Sequence, residues 1–143
     1  MSKITSIVQI YSHAGSLFIV PVVQLENGPW QETFPIYQIE VKNVEALTQA
    51  LAKIQQNGGG VVTSAPNPWN SEYGEALRNA SALVSLRWFN NGTVKIVPQE
   101  QRISHDEDDG SIERGWYDEK AETLELAGDT SLSQISQRVI EKL

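Results

Sequence analysis

The spacing of apolar and polar positions changes period several times along this chain. From Ile4 to Val41 the residues are rich in Ile, Val, Tyr, Phe and Thr, with turn residues at His13-Ala14-Gly15 and Asn27-Gly28-Pro29. Three antiparallel strands are the simplest account. The second, Leu17 to Val23, is apolar on both faces but contains Pro21. A proline cannot donate to a ladder, which predicts an edge position or a bulge there. Pro35 raises the same doubt about the third strand.

The period then becomes helical. Asn43 is a candidate N-cap, Val44, Leu47, Leu51 and Ile54 recur on one face, and Asn57-Gly58 ends the run. The triple glycine 58–60 leaves a helix C-terminus instead of entering a helix, and lacks a following Lys-Ser/Thr, so it reads as a cap and hinge, not a phosphate cradle. Residues 64–74 combine turn chemistry with Trp69 and Tyr73 and read as a loop. Those aromatics are either an exposed recognition pair or a plug over one end of the core.

From Ala82 to Val97 the pattern predicts a hairpin whose register follows from face consistency. A two-residue turn would set Trp88 opposite Lys95. A three-residue loop, Asn90-Asn91-Gly92 with Gly92 left-handed, sets Trp88 opposite Val94 and Leu86 opposite Ile96, and leaves Ser85, Arg87 and Lys95 on the other face. After a charged connection come a short strand around Ala121 to Leu126 and a final helix with Leu132, Ile135, Val139, Ile140 and Leu143 on one face. Ser131 and Gln134 form its capping box. The order is roughly βββα-βββα, an α+β class of antiparallel sheets with two helices, expected as a single domain over residues 1–143 with sheet faces covered by the helices. Element order suggests a structural duplication, although no residue-level repeat is apparent.

Composition narrows the chemistry. The 143 residues contain no cysteine, which removes disulfides, thiolate metal sites and nucleophilic thiols and fits a reducing compartment. No apolar run reaches the ~20 residues of a membrane span and no signal-peptide core is visible, so a cytoplasmic, unanchored protein is expected. The net charge of -7 is concentrated. Asp106, Glu107, Asp108, Asp109, Glu113, Asp118 and Glu119 are offset only by Arg114, so residues 106–119 carry -6 and the rest of the chain -1. Such a patch repels phosphate backbones and steers cationic proteins, while charge runs also occur as plain solvated loops.

No catalytic motif emerges. Ser104-His105-Asp106 are neighbours in sequence, and neighbouring side chains diverge, so they make no local triad. The Asp106-Asp108-Asp109-Gly110 run departs from EF-hand spacing, with glycine one position early. No cofactor or metal is implied.

Val84 to Val97, the run Ser104 to Gly110 and the helix Ser131 to Leu143, in an acidic chain without cysteine, resemble the immunity proteins of bacterial contact-dependent growth-inhibition and related polymorphic toxin systems. That resemblance implies a non-catalytic module that neutralises a nuclease-like toxin by covering its basic surface. The expected contact residues are Asp106 to Asp109, Glu113, Trp116, Tyr117, Asp118 and Glu119, with Trp69 and Tyr73 next. Two other readings are a single-stranded nucleic-acid binder stacking bases on Trp69, Tyr73, Trp88 and Trp116, which would need a basic groove, and an enzyme with a fold-assembled carboxylate pair.

Overall fold

A computed structural model of the protein describes residues 3–57, 61–105, 107–110 and 112–143. Its strands are β1 (Ile4–His13), β2 (Ser16–Leu25), β3 (Trp30–Glu32), β4 (Tyr37–Glu40), β5 (Val61–Val62), β6 (Ala82–Phe89), β7 (Val94–His105), β8 (Ile112–Asp118) and β9 (Leu124–Leu126). The helices are α1 (Val44–Asn57), the short α2 (Gly74–Arg78) and α3 (Leu132–Lys142). All strands join one sheet whose path runs β3-β2-β1-β6-β7-β8, with β4 and β5 also on β2 and β9 also on β7. The class is α+β, as the pattern predicts. The triple glycine 58–60 lies outside the described residues.

Local chemistry explains most of these elements. Ala14 and Gly15, at φ 50 and 81, make a two-residue turn of the kind whose twist suits a hairpin. In the β6-β7 hairpin Trp88 pairs with Val94 and Leu86 with Ile96, with Gly92 at φ 89, which is the register and conformation expected from face consistency. The Asn43 side chain accepts from the Ala46 N–H at 3.0 Å, and Ser131 and Gln134 complete the capping box of α3.

Pro21 departs from expectation. It is neither at an edge nor in a bulge, because β2 has neighbours on both sides. A strand residue points its N–H and C=O to the same side, and the Pro21 carbonyl accepts from Thr33 N–H at 2.9 Å, so its missing donor faces the β3/β4 side. There the neighbouring strand is interrupted between Glu32 and Tyr37, around the cis Phe34-Pro35 bond. The proline sits where no ladder bond is required of it.

The same arrangement recurs in the second half, and it shows the duplication residue by residue. Pro98 of β7 lies at the junction of β8 and β9, and its carbonyl accepts from Glu119 N–H at 2.9 Å. Aligning the two halves on these ladders matches Gly15 with Gly92, Trp30 with Trp116, and Glu32 with Asp118. The Gln24–Trp30 pair thus corresponds to Gln101–Trp116. Each half is ββββα, one strand more than the pattern suggests, because the third run is split opposite its proline. The halves meet at the antiparallel β1·β6 ladder, where the equivalent residues Gln9 and Ser85 face each other. Across the helix pair the equivalent Thr48 and Ser136 also meet, with the Thr48 hydroxyl donating to the Ser136 hydroxyl at 2.9 Å. Two self-facing pairs mark an approximate twofold axis.

The repeat has no short-range sequence signal because the matched residues are punctuation and pairs, not contiguous strings.

Strand alternation divides the sheet into two faces. Val8, Ile10, Leu17, Ile19, Val84, Leu86, Val94 and Ile96 pack against Leu47, Leu51, Ile135 and Val139, so both long helices cover the same face. This differs from helices distributed over the sheet faces. Tyr11, Phe18, Val20 and Leu83 on the other face are covered instead by Leu77 and the aromatics of the 64–80 segment. Trp69 and Tyr73 therefore act as the plug.

Gly92→Val should destabilise the domain by about 1 kcal/mol or more, since a β-branched residue resists positive φ; urea unfolding monitored by tryptophan fluorescence measures it.

Candidate functional site

Two features of the fold can carry chemistry: the ribbon made by the far ends of β7 and β8, and the polar network on the sheet face opposite the long helices. The ribbon arises because β6 pairs with β7 only as far as Gln99, whereas β7 and β8 remain paired to His105 and Ile112. Beyond Gln99, β7 has β8 as its only ladder partner among the described residues. The apolar pattern ends the hairpin strand at Val97 and predicts a charged connection after it. Residues 98–102, Pro-Gln-Glu-Gln-Arg, carry no apolar alternation, so no strand signal is visible there.

Glu107, Asp108 and Asp109 are exposed in the turn at the ribbon's end, followed by Gly110 at φ 72. Asp106 lies outside the described residues. Glu113 stands opposite Ser104 in the ladder. Trp116 and Tyr117, adjacent in sequence, necessarily point to opposite faces. Trp116 packs against the second core cluster, while Tyr117 is 50% exposed. The Tyr117 ring lies against Gly115, where a Cβ would meet it at 3.1 Å, and the Arg102 guanidinium sits 4.8 Å from its centroid. Arg102 in turn bonds Glu100 at 2.6 Å. The expected contact set is thus divided. The acidic turn and Tyr117 are presented to solvent, Trp116 anchors the ribbon's base, and Glu119 is half-buried with its N–H bound to Pro98.

Asp118 is committed within the molecule. Both its oxygens accept from the Arg87 guanidinium at 2.9 Å, Gln99 donates at 2.6 Å, and the Arg87 Nε–H bonds the Ser85 hydroxyl at 3.0 Å. Hydrogen bonding from Arg87 is the main reason its carboxyl is held below the usual range, with Gln99 and the Arg87 and Lys120 charges adding to it against partial burial. Its counterpart Glu32 is engaged in parallel fashion. The buried Tyr11 hydroxyl, equivalent in position to Arg87, donates to it at 2.6 Å, and the Trp69 indole N–H donates at 3.0 Å. Burial, then the Glu32 charge and hydrogen bond, push the Tyr11 phenol far above its ordinary value, so it serves as a fixed donor. These two buttressed carboxylates have no signature in a single sequence, since each donor–acceptor pair is brought together across strands.

Among the described residues no group of three or more His, Asp or Glu side chains converges as a metal site. His13 bonds the Asn79 carbonyl at 3.1 Å, a structural contact. No helix of the described residues is long and apolar enough to cross a membrane.

No protein-family model matches the chain, and a search of curated proteins finds no significant relative. Among solved structures it is similar to a protein of unknown function from Neisseria meningitidis, at 13% identity and a TM-score of 0.61, over 98% of this chain and 93% of that one. The likeness is one of fold and spans both halves of the duplication.

Two stability measurements probe the network. Tyr11→Phe removes a buried donor from a charged acceptor and should cost about 1.5–3 kcal/mol in chemical denaturation at neutral pH. Because the folded pKa of Asp118 lies below its unfolded value, its contribution is present above about pH 4 and is lost as pH falls through the folded value. Asp118→Asn should therefore lower the thermal midpoint at pH 7, with the gap to the parent protein closing on acidification below that range.

Proposed function

We propose that this chain is a non-catalytic protein-binding module of the cytoplasm, an immunity protein that neutralises a nuclease-like toxin by covering its basic surface. The observation that carries the reading is where the internal repeat fails. Between the paired residues Gln24 and Trp30 lie five residues, 25–29, whereas between their counterparts Gln101 and Trp116 lie fourteen, 102–115. The nine extra residues extend the ribbon and bring the acidic run 106–109 with them. Symmetric parts of a duplicated fold are what the fold needs; the addition to one half carries the exposed Glu107, Asp108 and Asp109 at its turn.

Electrostatics then suit the task. An acidic projection accelerates encounter with a basic surface, and the exposed Tyr117, amphipathic and rigid, is an anchor of the kind interfaces use. Stacking of nucleic-acid bases is disfavoured because the aromatics it would need are partly buried against the core clusters. Trp69, Tyr73 and Trp116 pack into the second cluster and Trp88 into the first.

This reading requires a toxic domain encoded beside this chain's own coding sequence, whose expression should arrest growth and whose co-expression with this chain should restore it. In surface plasmon resonance against that domain, neutralising Asp106, Asp108 and Asp109 to asparagine should slow association and flatten its salt dependence. Tyr117→Ala should chiefly speed dissociation, and Trp116→Ala should lower stability. Unchanged rates for the triple variant at low salt would place the contact away from the ribbon.

A further inference from the structure

The approximate twofold axis predicts that every surface on one half of the sheet has a counterpart on the other, and on the face opposite the long helices one of the two is covered and the other open. The covered surface includes Tyr11, Leu83 and Trp116, which pack with Leu77, Trp69 and Tyr73 of the segment joining the halves. The equivalents of those three residues are Arg87, Ile7 and Trp30. They line an open groove of ≈ 370 Å³. The chain has a single joining segment, so only one of the two related surfaces receives an internal peptide. The other has comparable backbone shape with different side chains, which selects a different occupant.

The chemistry of that occupant follows from the groove's unused valences. Arg87 is neutralised by Asp118 and held by three hydrogen bonds, leaving Glu32 as the unbalanced charge of the lining. Each Glu32 oxygen accepts one bond, from Tyr11 or Trp69, and a carboxylate has about four acceptor sites, so capacity remains. On the floor, at the axis, the Gln9 carboxamide oxygen is buried without a partner. The last torsion of a glutamine is broad, so a modest rotation presents that oxygen to an incoming donor. Ile7, Val22 and Trp30 supply apolar wall and an indole face. Acceptors at the end of an apolar slot beside a tryptophan suit an alkyl stem tipped by a cation.

We propose that this groove is a binding site for a cationic side chain, arginine or lysine, presented by the basic partner. The proposal rests on the reading of a basic partner but on residues separate from the acidic ribbon.

The probe is N-acetyl-arginine amide titrated into the isotopically labelled protein, followed by the Trp30 indole and Gln9 carboxamide resonances. Saturable shifts of both signals are expected. The neutral, equally shaped citrulline derivative should bind about tenfold more weakly or worse, and the N-acetyl-glutamate amide should leave the signals unmoved. Glu32→Gln should weaken arginine binding by a similar factor. Gln9→Met, which leaves the Tyr11 and Trp69 bonds of Glu32 in place, should weaken it in a protein of parental stability. Equal response to citrulline, shifts confined to residues 107–118, or no response would overturn the groove site and leave the ribbon reading to its own salt-dependence test. Saturable binding at Trp30 with toxin association insensitive to the ribbon variants would retain the groove and overturn the ribbon.

Discussion

Along β1 and β6 two hairpins meet back to back, and the register of that one ladder decides what every other element faces. Val8 opposite Leu86 and Ile10 opposite Val84 set four apolar side chains toward the long helices. A slip of one residue would turn Gln9, Ser85 and Arg87 into that dry layer, and burying an unpaired guanidinium there is prohibitive. The pseudo-twofold also restricts which residues can lie on the axis, because equivalents confront each other. Like charges would repel. Neutral groups, Gln9 with Ser85 and Thr48 with Ser136, occupy both places.

Outward from that ladder the halves repeat one solution. A long second strand cannot keep a continuous outer neighbour past its proline, so the neighbour breaks, and two short strands share the edge in place of one. The carboxylate at the break's near side is then fixed by a donor on the first strand of the same half: Tyr11 for Glu32, Arg87 for Asp118. The two pairs differ in exposure. In the first, Tyr11 is buried and Glu32 half-buried at the wall of the open groove; the second is part-exposed at the base of the ribbon. Asp118 is thereby withdrawn from the acidic surface and spent on orienting the strand that carries it.

The two proposed binding features lie at the breaks in symmetry. The elongated β7-β8 ribbon adds charge on one half, and the joining segment covers a surface on only one half. The acidic turn of the ribbon lies outside both core clusters, whereas the joining segment contributes Leu77 and Ala80 to the second.

Sequence alone determined the elements with a strong period or a local chemical stop: α1 between Asn43 and Asn57, the boxed start of α3, and the β6-β7 register, where face consistency admits one pairing. It also located the charge and its confinement to residues 106–119. Only tertiary structure decided the rest. Whether Pro21 stands at an edge depends on the strand beside it; whether Trp69 is bait or plug depends on Glu32 and Tyr11, far off in the chain; whether adjacent Trp116 and Tyr117 share a surface depends on the pleat of a ribbon too polar to announce itself. The duplication was legible in element order but not in residues, because its matched positions are separated by insertions and are kept for pairing across strands. Local sequence carries periodicity and capping; which residues meet across strands is set by the ladder, and so only by the fold.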